Sequence, residues 1–151
     1  MIAVSGGSET TEETWALAED VGAALARAGA VVVTGGLGGV MEAACKGAKS
    51  QGGTTIGILP GERTATANAY IDIPIATGMS HGRNTVIIHT CDGVIALPGA
   101  FGTLSEVALA LIMGKPVVSI GSWRPDERVR AAMDAAEAVA MIMEMIDDPR
   151  G

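Results

Sequence analysis

The feature that most constrains this chain is a recurring triplet: a short unbroken apolar run, a glycine-rich turn, and then apolar residues at helical spacing. Ile2 to Ser5 runs into Gly6-Gly7, and Ala30 to Val33 runs into Thr34-Gly35-Gly36-Leu37-Gly38-Gly39. Gly93 to Leu97 runs into the loop Pro98 to Gly102. Apolar runs without polar alternation mark strands buried on both faces, and such strands belong to parallel sheets whose crossovers are helices. Further strands are expected at Thr54 to Leu59 and at Val117 to Ile120, the last clear one. The first crossover helix is read from Thr10, with Glu13 three residues on as a capping box, through Trp15, Ala18, Val21, Leu25 and Ala28 to a stop at Gly29. Others are expected from Val40 to before Gly52-Gly53, over roughly Arg83 to Thr90, and from Thr103 to Met113. After a break at Trp123-Arg124-Pro125, Asp126 to Ile146 is expected to be mainly helical, with Met133, Met141, Met143 and Met145 packing in a core or between subunits.

Alternating strands and helices with right-handed crossovers predict an α/β fold, a Rossmann-like three-layer sandwich with helices on both faces of a parallel sheet. Residues 1–151 are read as one domain of this kind. An apolar fraction of 48% and a mean hydropathy of +0.38 exclude a disordered chain. With 10 basic against 17 acidic side chains, the net charge of −7 repels nucleic acid, so no nucleic-acid partner is expected. No apolar run approaches the roughly 20 residues that span a bilayer, and the N-terminus lacks a secretory pattern. No membrane partner is expected, and with Cys45 and Cys91 unpaired in any CxxC motif a cytoplasmic location fits. Both cysteines read as small buried hydrophobes. His81 and His89 form no constellation with carboxylates and read as surface or hydrogen-bonded side chains. No metal site and no cofactor are expected.

In an open parallel sheet, ligands bind beyond the carboxyl ends of the strands, where strand order reverses. Gly6-Gly7-Ser8, Thr34 to Gly39, Gly78 to Asn84 and Pro98 to Thr103 all fall there. Two of these are glycine-rich loops opening a helix, and a helix N-terminus offers free N–H donors and a positive dipole end to a phosphate. The plainer reading is that the glycines only permit tight turns. No Lys-Ser or Lys-Thr follows them, and the full GxGxxG pattern is absent, which disfavours ATP hydrolysis and NAD. A small phosphorylated ligand is the expected partner.

The segment Leu97 to Glu106 resembles the PGGxGTxxE signature of the Lonely Guy (LOG) family, long mislabelled as lysine decarboxylases. Gly35 to Ala43 is similar to that family's GGGxxGLMG loop. Thr77 to Asn84 and Thr103 to Lys115 resemble TGMGxARN and TLSEIALALKLGK, of the branch that includes the molybdenum cofactor carrier protein. The resemblance spans about Ile2 to Ile120. It implies a Rossmann-type oligomer, a homodimer or homotetramer, that in the LOG branch cleaves a nucleoside 5′-monophosphate to free base and ribose 5-phosphate. It implies catalytic roles for Glu106 and Arg83. It implies phosphate contacts from Gly99, Gly102 and Thr103, and the loops at the crevice add Gly6, Gly7, Gly35, Gly36, Gly38, Gly39, Met79, Asn84, Pro98, Ala100 and Phe101 as expected phosphate or nucleotide contacts. Ala100 stands where the family has a second glycine, and Asn84 stands where the LOG branch has lysine.

Two of these residues have plainer readings. Glu106 is three residues after Thr103 and could be the third member of a capping box. Arg83 could pair with Asp72 or Glu106. Asn84 and Ser5 to Ser8 are weaker ligand candidates, because short polar side chains at turns usually serve the backbone. The expected function is nucleotide binding of the LOG kind, with phosphoribohydrolase activity. The alternative is a non-catalytic carrier or sensor of a phosphorylated ligand such as molybdenum cofactor. The helices Arg83 to Thr90 and Thr103 to Met113 are the expected oligomer interface.

Overall fold

The computed structural model describes residues 1–148. Seven strands form a parallel sheet: β1 (Ile2–Ser5), β2 (Val32–Thr34), β3 (Thr55–Leu59), β4 (Ile73–Ala76), β5 (Gly93–Ala96), β6 (Val117–Ser119) and β7 (Val129–Ala131), in the order β4-β3-β2-β1-β5-β6-β7. Five α-helices flank them: α1 (Glu12–Arg27), α2 (Val40–Ser50), α3 (Arg83–Thr90), α4 (Phe101–Ile112) and α5 (Ala135–Asp147). The alternation of side chains along each strand feeds two separate cores. Ile2 and Val4 of β1 face the layer of α1, α2 and α5, where Val21, Leu25, Ala44 and Ile142 are fully buried. Ala3 between them faces α3 and α4, with Ile87, Ile88, Val107 and Ala110. This is the three-layer α/β sandwich that the sequence pattern predicts.

The chain order reverses at β1, which pairs with β2 on one side and β5 on the other. Crossovers on the two sides of this point leave the sheet in opposite directions, and a crevice opens beyond the ends of β1 and β5.

Three expectations are corrected. Thr11, not Thr10, caps α1, its Oγ1 accepting from Thr14 N at 3.1 Å. The stretch from Asp126 is not one helix: Val129–Ala131 adds the edge strand β7, and α5 begins only after Asp134, whose side chain accepts from Glu137 N. Met133 therefore lies outside that helix and is 87% exposed, whereas Met141, Met143 and Met145 pack against the core. Finally, α4 starts at Phe101, which makes Glu106 its sixth residue. Glu106 is too far along to close a capping box.

Candidate functional site

Each turn at the crevice is held by its neighbours. Gly7 N donates to Pro98 O at 3.0 Å, and Val40 N to Gly7 O at 2.9 Å, so the loops after β1, β2 and β5 form one hydrogen-bonded unit. Close approach fixes two of its residue types. Gly39 has φ +64°, and a Cβ there would stand 2.3 Å from Gly7 O. A Cβ on Gly99 would stand 2.1 Å from Thr103 Oγ1 and 2.8 Å from Gly7 N. Ala100 has φ −95°, outside the left-handed region that favours glycine, so alanine is accommodated where the family has glycine.

These loops and the segment before α3 surround a cleft of about 370 Å³. Ala100 caps α4 without a side-chain hydrogen bond, so the first amides of the helix are left for another acceptor. Gly102 has open space where a Cβ would be. One turn deeper, Glu106 is only 8% exposed, and its Oε2 accepts a hydrogen bond from Ser5 Oγ at the end of β1. Burial pushes the Glu106 carboxyl up to about 7, against the opposing pull of the Ser5 hydroxyl and the Arg83 charge.

Arg83 opens α3, where a cation opposes the helix dipole and needs compensation. Its Nη1 donates to Asn84 Oδ1 and its Nη2 to Gly35 O at 3.4 Å, while Nε is buried with no acceptor. Burial depresses its pKa, and the Glu106 charge works the other way. The guanidinium fits only because Gly35 lacks a side chain, since a Cβ there would lie 2.4 Å from Nη2. Asn84 is 3% exposed, and its Nδ2 donates to Ser105 Oγ at 3.0 Å, which ties the arginine to α4. The Arg83–Asp72 pairing does not form, because Lys49 holds Asp72 at 2.8 Å. The arrangement is a buried carboxyl and a guanidinium with one partnerless nitrogen, lining one cleft with a helix start whose first amides are uncapped.

Residues 1–148 match the model of the SLOG cluster4 family. The chain belongs to that family. It is 49% identical over 138 residues to an uncharacterized protein of Archaeoglobus fulgidus, covering 91% of both chains. It is 34% identical over 134 residues to the cytokinin riboside 5′-monophosphate phosphoribohydrolase of Mycobacterium tuberculosis, covering 82% of this chain and 71% of that one. The molybdenum cofactor binding protein of Rippkaea orientalis superposes with a TM-score of 0.90 at 36% identity, over 96% of each chain. The LOG resemblance of the sequence is thus a family membership, on the side of the molybdenum cofactor carriers.

Within this SLOG member, Gly6, Gly7, Arg83, Asn84, Ala100, Gly102, Thr103 and Glu106 come together on the cleft. Gly35, Gly36, Gly38 and Gly39 shape the loop behind it, and Pro98 and Gly99 line a shallower neighbouring depression. Met79 and Phe101 are 49% and 77% exposed and are not among the lining residues. The cleft also takes in Met41, Ser80 and His81, which the motif reading left out. Ser80, at φ +52°, is the only non-glycine with positive φ among the described residues. Ser5 proves more central than its reading as a turn residue; its signal is a hydroxyl ending an otherwise apolar buried strand.

Proposed function

We propose that this protein binds a nucleoside 5′-monophosphate and hydrolyses its N-glycosidic bond, giving free base and ribose 5-phosphate. The observation that carries this reading is the buried Glu106 carboxyl, held by Ser5 and facing Arg83 at the bottom of the cleft. A carboxyl that titrates near neutrality in a cleft, beside a named charge partner, is suited to acid–base work. The phosphate rests on the first amides of α4, from Gly99 to Thr103, and Arg83, which lines the cleft, offers its guanidinium charge to the ligand. Positive charge develops at C1′ as the C1′–N bond breaks with its electron pair leaving on the base, and ionised Glu106 stabilises that charge. Water supplies the hydroxyl to C1′. Glu106 takes the water proton and passes it to the departing base nitrogen. The identity to a named phosphoribohydrolase supports the same reaction class.

A second reading rests on the likeness to the Rippkaea protein over 96% of both chains. In it the same loop holds molybdenum cofactor for transport and Glu106 performs no chemistry. Both readings place a phosphate on α4. A Gly102→Val variant tests that shared element, because nothing lies within 4 Å of where its Cβ would stand beside the amides. Calorimetry with adenosine 5′-monophosphate is expected to show at least about tenfold weaker binding with a near-unchanged melting temperature. Equal affinity in the folded variant would move the phosphate elsewhere.

A further inference from the structure

Trp123 follows β6 and lies outside the cleft, yet it is bonded to the cleft's most important turn. Its indole Nε1–H donates to Gly99 O at 3.0 Å and to Ala100 O at 3.1 Å. Its ring stacks on Phe101, the chain's single phenylalanine, with centroids 6.2 Å apart and planes at 26°. At 36% exposure, Trp123 could satisfy its N–H with water, so burial does not force this arrangement. The two carbonyls belong to consecutive peptide units leading into α4, and both units are trans. In a trans peptide the N–H points opposite to the C=O. Drawing both carbonyls toward the indole therefore turns the Ala100 and Phe101 N–H groups away from it. Ala100, Gly102 and Thr103 line the cleft, whereas Trp123 does not.

We infer that Trp123 is a positioning residue for the phosphate-binding turn: its indole N–H holds the Gly99–Ala100 peptide plane and joins Leu104 N, which donates to Ala100 O at 3.1 Å, in holding the next, so that the Ala100 amide faces the ligand's phosphate. The inference rests on the phosphate site proposed above and assigns the device that organises it. The turn has no side-chain cap, and while Leu104 N holds Ala100 O, Gly99 leaves the preceding plane free to rotate, so a tether on Gly99 O lowers the ordering cost of binding. The tether also couples the two sides of each peptide, because an acceptor on the N–H polarises the C=O and strengthens its bond to the indole.

The chain's two tryptophans make a controlled experiment, since Trp15 Nε1 donates to Glu19 Oε2 at 3.2 Å on α1, away from the cleft. In ¹H–¹⁵N spectra of the full chain titrated with adenosine 5′-monophosphate, the Trp123 indole resonance is expected to move as binding saturates while that of Trp15 stays. Trp123→Phe keeps an aromatic ring against Phe101 and removes the donor. It is expected to weaken binding by about tenfold at an unchanged melting temperature. Unchanged affinity in Trp123→Phe, where Gly102→Val abolishes binding, would overturn the tether and leave the phosphate site standing. Absence of nucleotide binding by the unaltered protein would overturn both. Should Trp123→Phe fail to fold, a stationary Trp123 resonance at saturating nucleotide would overturn the proposal by itself.

Discussion

Glu106 is the buried carboxyl on which the proposed chemistry rests. Its pKa rises from the ordinary 4.5 to about 7, and the cause is loss of solvation, which the Ser5 hydrogen bond and the Arg83 charge only partly offset. The shift has a consequence for stability with a definite sign. Between those two values the native state holds a proton that the unfolded chain has released, so stability is greatest at the acid end and falls as pH rises toward 7. Glu106→Gln has no such proton. In urea titrations at pH 5 and pH 7.5, the unaltered protein is expected to lose more stability across the interval than the variant; equal changes would show that Glu106 is not buried as described. At this scale the sequence was legible where a motif carried the residue, as for Glu106, Arg83 and the glycine loop. A motif also carried Asn84 to the cleft but not the bond its amide makes to Ser105, and nothing pointed to Trp123, because these contacts join residues more than 20 positions apart in the chain.

Among the elements, the loop between β2 and α2 shows how adjacent glycines differ in what they do. Gly39 is at positive φ and against Gly7 and Ser8, whereas a Cβ on Gly38 would come no closer than 3.6 Å to Ser8 O. Gly39→Ala is expected to destabilise by about 2 kcal/mol or more, through left-handed strain and overlap. Gly38→Ala should stay within about 0.5 kcal/mol. Thermal denaturation of the pair would check this, and equal costs would contradict the packing of this loop on β1. The elements best read from sequence are those with strong local signals. The run Ile2–Ser5 and the helix Arg83–Thr90 fall where the pattern predicts them. Strand β7 had no such signal: it has three residues at the sheet edge, with Val129 buried but Arg130 and Ala131 exposed, so no apolar run betrays it. The cap of α1 was misread by one residue, since Thr10 and Thr11 are neighbours and only the geometry selects the one whose hydroxyl reaches Thr14 N.

For the molecule as a whole, α4 is the element left incompletely covered. Glu106 is its single charged side chain and is buried, while Phe101 and Ile112 are 77% and 79% exposed on a helix whose second half, Val107 to Ile112, is entirely apolar. Exposed Phe101 and Ile112 on so apolar a helix suit a partner surface, and a second copy of the chain offers the simplest symmetric one. Sedimentation is expected to give a dimer or tetramer, and Ile112→Glu, which is remote from the cleft lining, is expected to give a 15 kDa species. A monomeric unaltered protein at micromolar concentration would contradict this. The central claim concerns chemistry, and its most direct measurement is the release of free base from a panel of nucleoside 5′-monophosphates by the unaltered protein and by Glu106→Gln. The account predicts base release by the unaltered protein that rises with pH through about 7 as Glu106 ionises. It predicts a loss of about 10²-fold or more in Glu106→Gln, with nucleotide affinity held within about tenfold. Nucleotide binding without base release from any member of the panel would contradict it and leave carriage as the function of the cleft.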